Sequence, residues 1–288
     1  MKTWAWLWTA IASALLLLGA GCTQAVPEFV LYVQAFDAQY EQGNAVLDIV
    51  GNAERTVALR KVKIDTTFNP NGAAYFLDGI DPPITASLRT SLRTLKSYND
   101  ALGGLASGEA ADTLAVRLGA VTTNGAAGLS ALAAAAGPAA ALEAGAFVAG
   151  AKAALDTAMP LLKAAATAAN REEFRRQLVL AHDPMRDLLQ AMRAATPAMY
   201  ELMIRSQVQR GNLDSASGIP PEGESRLSKQ RELLAAWVVL MDKTLVALDH
   251  AAAAASARGG ALPVAEMTDI SIQLKVTAEQ IKAIRAKQ

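Results

Sequence analysis

Two histidine–carboxylate neighbours are the residues best suited to chemistry in this chain. Asp183 follows His182, and Asp249 precedes His250. An imidazole beside a carboxylate can carry a proton or bind a metal ion. Neither histidine has a second histidine one helical turn away, and no cysteine lies nearby. The four residues would form one site only if two separate helices packed together with both histidines in a pocket. Capping and ordinary polar roles are the expected reading.

Other chemistry is sparser still. There is no glycine-x-serine-x-glycine elbow and no serine-x-x-lysine. Ser225 and Lys229 lie one helical turn apart, a common surface pair. Gly119, Gly125 and Gly128 sit in alanine-rich sequence without the lysine of a phosphate-binding loop. Glu172 and Glu173 are adjacent and point to different faces; they suit a helix N-terminus. Arg171, Arg175 and Arg176 stand at pairing distance from them. The expectation is a non-enzymatic protein with no catalytic residue, cofactor or metal site.

The elements that carry these residues are helical. From Ala126 to Ala169 roughly half the residues are alanine, the strongest helix former. β-branched and aromatic runs are scarce. Acidic and basic residues balance at 27 each, so no net field favours nucleic acid.

The first residues have a different purpose. Lys2 precedes an apolar stretch through Leu15–Leu18, which ends in Gly19-Ala20-Gly21-Cys22. A positive start, an apolar core and a small-residue end make a secretory signal over residues 1–21. The run is too short for a good membrane span. Small residues before the chain's single cysteine resemble the lipobox of bacterial lipoproteins. That resemblance implies cleavage before Cys22, acylation of its sulfur and amino group, and a lipid anchor. Gly19 stands where the family usually has leucine, with Leu18 one place further back. Thr23, rather than aspartate, follows the cysteine, which implies the outer membrane. The expected location is therefore the bacterial envelope, facing the periplasm.

Residues 22–288 read as one all-α bundle of six to eight helices. Phe29, Val33, Phe36, Tyr40, Gly43, Leu47 and Val50 step by threes and fours, the apolar stripe of a first helix. Pro27 suits its first turn. A second helix, from Ile84 to Ala106, turns Leu88, Leu92, Leu95 and Leu102 inward. Arg89, Arg93 and Lys96 fall on a neighbouring face, expected as a solvated stripe. A third carries Leu114, Leu118, Val121 and Leu132. Residues 118–142 have no charge, yet their threonines, asparagine and glycines favour buried helix over a membrane span. Gly137-Pro138 is expected to turn the chain into a fourth helix over 139–169, interrupted at Pro160. A long helix over 171–209 is expected to bend at Pro184 and Pro197, with Asp183 capping a restart. The last two helices hold Leu227, Leu234, Trp237, Met241, Leu245 and Leu248, then Met267, Ile270, Leu274, Ile281 and Ile284.

Two loops punctuate the bundle. Residues 211–223 form a glycine-, serine- and proline-rich linker. Residues 60–83 carry the turn signals Asn69-Pro70-Asn71-Gly72 and Asp81-Pro82-Pro83. Between those turns lie Tyr75, Phe76, Leu77 and Ile80, and Tyr75 with Phe76 form a candidate patch for an envelope protein partner. The leading expectation is thus a lipid-anchored interaction protein. The alternative is a carrier that holds a small apolar ligand among Phe147, Met159, Leu161, Leu162, Met185, Met192, Met199 and Met203.

Overall fold

The fold is that of a computed structural model describing residues 27–61, 70–140, 144–211, 221–256 and 264–287. Cys22 and the signal segment lie outside the described residues. The described chain is an all-α bundle. Its helices are α1 (Pro27–Lys61), α2 (Pro83–Ala106), α3 (Ala111–Ala140), α4 (Gly145–Ala166), α5 (Arg171–Leu180), α6 (His182–Ala194), α7 (Thr196–Gln209), α8 (Pro221–Ser256) and α9 (Val264–Arg285). A 3-10 turn, Pro70–Tyr75, lies between α1 and α2. Taken as one interrupted rod, α5–α7 brings the bundle to seven helical units among the described residues.

α2 is the central element. It packs on α1, α3, α6 and α8, so it is buried on nearly every side. Its leucines Leu88, Leu92, Leu95 and Leu102 fill one side, as the spacing predicts. The other sides carry Thr85, Ser87, Ser91 and Thr94, all fully buried. Small side chains there let α3 come close. Gly128 of α3 faces the Thr90 side chain on α2 and Leu155 on α4. At Gly125 an added Cβ would collide with the sulfur of Met159. These two glycines are contact points between helices.

α1 buries two lines of residues because α2, α7 and α9 all pack on it. Phe36, Gly43, Leu47 and Val50 of the predicted stripe are buried, joined by Tyr32, Val46, Ala53 and Val57. Arg89 and Lys96 do not form a solvated stripe. Arg89 bridges to Asp48 at 2.8 Å and Asp81 at 2.6 Å, and Lys96 to Asp37 at 2.8 Å and Asp100 at 2.9 Å. They tie α2 to α1, whereas Arg93 is exposed.

Proline acts differently at its several positions. α3 continues through Gly137-Pro138 to Ala140, so the expected turn comes later. Alanine on both sides favours the helix, and a proline near the end sacrifices little. α4 likewise runs through Pro160 without a restart. Over 171–209 the breaks fall at Ala181 and Ala195, just before Pro184 and Pro197. A proline has no N–H, and its ring crowds the carbonyl four residues back. Asp183 lies inside the first turn of α6 and does not cap it; the capping position is Ala181. At α5 the cap is Asn170, whose side chain accepts the Glu173 N–H at 2.9 Å. Gly211, at φ +76°, closes α7, and α8 starts at Pro221, so Gly223 is helical and outside the linker.

α8 and α9 are antiparallel. Lys229 reaches the carbonyl of Lys287, and Lys243 reaches the side chain of Gln273, both at 2.6 Å. The two helices bury Leu234, Trp237, Met241, Leu248, Met267, Leu274 and Ile281 in the bundle. Among the described residues no helix is long and apolar enough to cross a membrane. α3 shows why its uncharged stretch stays in the bundle: Leu118, Val121, Leu132 and Ala135 are buried, and Ala126, Ala127, Ala133 and Ala134 form its outer face.

Candidate functional site

The loop between α1 and α2 is the most constructed surface feature of the molecule. It begins from a capping problem. α2 opens with Pro82 at the N-cap and Pro83 after it, and neither supplies a side-chain cap or an N–H. The remaining orphan donors are the N–H groups of Ile84 and Thr85. Both go to Glu54 on α1. Its Oε1 accepts Ile84 N–H at 3.0 Å, and its Oε2 accepts Thr85 N–H at 2.9 Å and the Thr85 hydroxyl at 2.8 Å. Tyr75 adds its hydroxyl at 3.5 Å. Glu54 is buried. Burial pushes its carboxyl above the usual range, opposed by these four donors.

The next residue, Arg55, shapes the loop itself. Its guanidinium donates to the carbonyls of Leu77 at 2.9 Å and Ile80 at 2.6 Å, and pairs with Asp78 at 3.3 Å. Gly79 takes φ +80° between them, a conformation glycine adopts without strain. Arg89 holds the loop's end through Asp81. Thus 76–81 is a fixed turn, held by two arginines from the helices beneath it.

What this turn presents is apolar. Phe76, Leu77 and Ile80 are 53%, 52% and 48% exposed. Of the two residues expected as a patch, Phe76 faces outward and Tyr75 is part-buried on Glu54. Leu77 and Ile80 complete the surface. Their place in the sequence was visible, but the arginine brackets that aim them were not.

The histidine–carboxylate neighbours meet through His182 and Asp249. α6 begins beside the end of α8, and His182 Nε2 lies 2.9 Å from Asp249 Oδ1. Arg186 approaches the same carboxylate at 3.6 Å. Asp249 therefore has two cationic or donor partners and ties the two helices. Among the described residues no cluster of three or more His, Cys, Asp or Glu could hold a metal ion. Glu172 pairs with Arg175, and Glu173 with Arg176, as the spacing predicts. Arg171 instead reaches the carbonyls of Leu105 and Glu109.

The residues suggested as a ligand lining belong to one continuous apolar core. Phe147, Met159, Leu162, Met185, Met192, Met199 and Met203 are buried in it, with Leu161 packed at its edge. They fill the space between α4, α5–α7 and α8.

The class that fold and site define is an all-α bundle with a rigid apolar turn at one end. No family model, curated protein or solved structure matches the chain.

Proposed function

We propose that this protein is a lipid-anchored, non-enzymatic bundle of the bacterial envelope that docks a protein partner on the 76–80 turn. The carrying observation is the turn itself: exposed Leu77 and Ile80 on a backbone held by Arg55, with exposed Phe76 beside them. Isolated apolar residues on a surface are ordinary. A braced turn loses less backbone freedom on binding, which favours recognition.

The anchor supplies the geometry. Cys22 is five residues before Pro27, so the extended tether reaches at most about 17 Å. Arg55, beneath the turn, is 28 residues along α1 from Pro27, about 40 Å at the helical rise. An anchored bundle standing on the start of α1 presents the turn on its far side, away from the lipid. Outer-membrane attachment then directs it into the periplasm. Balanced charge and the absence of a recognisable catalytic constellation agree with an interaction role.

The test is Leu77→Asp with Phe76→Ser, compared with the parent for partner capture after crosslinking in living cells. The reading expects loss of one defined envelope protein with an unchanged melting temperature. An unchanged partner list contradicts the turn as the docking site. Incorporation of labelled fatty acid that disappears in Cys22→Ala supports the anchor, and equal incorporation refutes it.

A further inference from the structure

We propose that the groove between the start of α7 and the middle of α8 is a binding site for a single-chain carboxylate. It lies apart from the 76–80 turn and from the buried methionines, and stands independently of the docking reading.

The groove follows from the break at Ala195. There the rod between Arg171 and Gln209 restarts as α7, and the residues facing α8 are small, Ala194 on one wall and Ala235 on the other. Two helices lined by alanine where they approach leave a depression. Its volume is about 460 Å³, as a wide-open surface trough. Pro197, Leu234, Ala235 and Val238 make it apolar. From Arg231 to Val238 it runs about 10 Å along α8, at 1.5 Å per residue, the length of roughly eight acyl carbons.

The two arginines at its rim are not equivalent. Arg193 is neutralised: its Nε and Nη2 lie 2.6 and 3.2 Å from the two oxygens of Asp242. Arg231 is oriented but not neutralised. Its Nε donates to the Tyr200 hydroxyl at 2.9 Å, and its guanidinium carbon sits 5.8 Å from the Tyr200 ring centre. No carboxylate among the described residues pairs with it. The phenol takes the Nε donor, which leaves the two terminal nitrogens of this groove-lining arginine to meet a ligand. Two parallel N–H donors suit the two oxygens of a carboxylate. A cation with no counter-ion among the described residues, beside an apolar trough, is complementary to an anion with an apolar tail. A neutral chain would leave Arg231 unanswered, and a cationic one would be repelled.

Binding would be measured calorimetrically on the full chain, with decanoate, decanol and decyltrimethylammonium as probes. The inference expects saturable one-site binding of decanoate, with decanol at least about tenfold weaker and no binding of the ammonium, as for a charge-assisted contact. Arg231→Gln should weaken decanoate about tenfold or more while melting as the parent does, because Arg231 is exposed. Ala235→Phe should fill the trough and abolish binding. No saturable decanoate binding overturns the inference. So does equal affinity for decanol, or undiminished affinity in either variant.

Discussion

The carboxylate of Glu54, near the end of α1, accepts the backbone N–H of Thr85 in the first turn of α2 at 2.9 Å. One buried side chain thereby caps a helix that starts at Pro83, on the far side of the loop. It also anchors Tyr75 and stands next to the arginine that aims the exposed turn.

Removing that cap leaves two backbone donors buried without an acceptor. Glu54→Ala should destabilise the bundle by about 3 kcal/mol, since each orphaned group costs roughly 1–3 kcal/mol. Urea denaturation would show a lower midpoint. A midpoint equal to the parent's would mean that solvent or another group satisfies Ile84 and Thr85.

The same residue gives the fold a pH dependence. A carboxyl whose folded pKa is raised holds its proton more tightly in the folded state. It therefore contributes stability in acid that is withdrawn as pH rises above the ordinary glutamate range. Compared with Glu54→Gln, the parent should lose relative stability as pH rises from about 4 towards neutrality. Urea midpoints across that range decide it. Relative stability that grows with pH would show the four donors outweighing burial.

Two glycines of α3 separate packing from propensity. Gly125 faces Met159, and a Cβ there collides with its sulfur. Gly125→Ala should cost about 1–3 kcal/mol through overpacking, despite alanine's better helix propensity. Gly119 has nothing within 4 Å of a Cβ. Gly119→Ala should instead stabilise by about 0.4–1 kcal/mol. Thermal melts of the two variants should move in opposite directions. Shifts of the same sign would contradict the close α3–α4 approach.

Three of the five tyrosines are predicted to be silent in an alkaline titration. Burial pushes the phenols of Tyr32, Tyr98 and Tyr75 far above their usual range. Tyr32 donates to Asn99, and Tyr98 to the carbonyl of Leu178 at 2.9 Å. Ultraviolet difference spectra should show these phenols ionising only when the protein unfolds. Phenylalanine at any of the three would leave the native titration curve unchanged; a changed curve at Tyr32 or Tyr98 would mean that the interior is open to hydroxide.

Much of the bundle was legible in the sequence because its apolar residues recur by threes and fours. Phe36, Leu47 and Val50, or Leu88, Leu92 and Leu95, each specify one buried line by spacing alone. The contacts that build the candidate site connect residues far apart in sequence. Lys96 and Arg89 look like a solvated stripe until α1 is laid antiparallel beside α2, where Asp37 and Asp48 meet them. Glu54 looks like an ordinary helix-surface acid in Asn52-Ala53-Glu54-Arg55. Its signal lay elsewhere, in Pro82-Pro83, a helix start with no side-chain cap of its own. His182 and Asp249 were legible as reactive types, but their partnership depends on where α6 restarts. Phe76 was legible as an apolar residue in a turn, whereas Tyr75 faces inward for a partner 21 residues away.

The most direct test of the docking account is a photocrosslinking amino acid placed at Leu77, with the same amino acid at Val116 as control. Val116 is the more exposed, at 76%, but it lies on α3 away from the braced turn. The account predicts a single defined adduct in living cells from Leu77, absent from Val116 and lost when Arg55→Ala releases the turn. Adducts of equal yield from both positions, or none from Leu77, would contradict it.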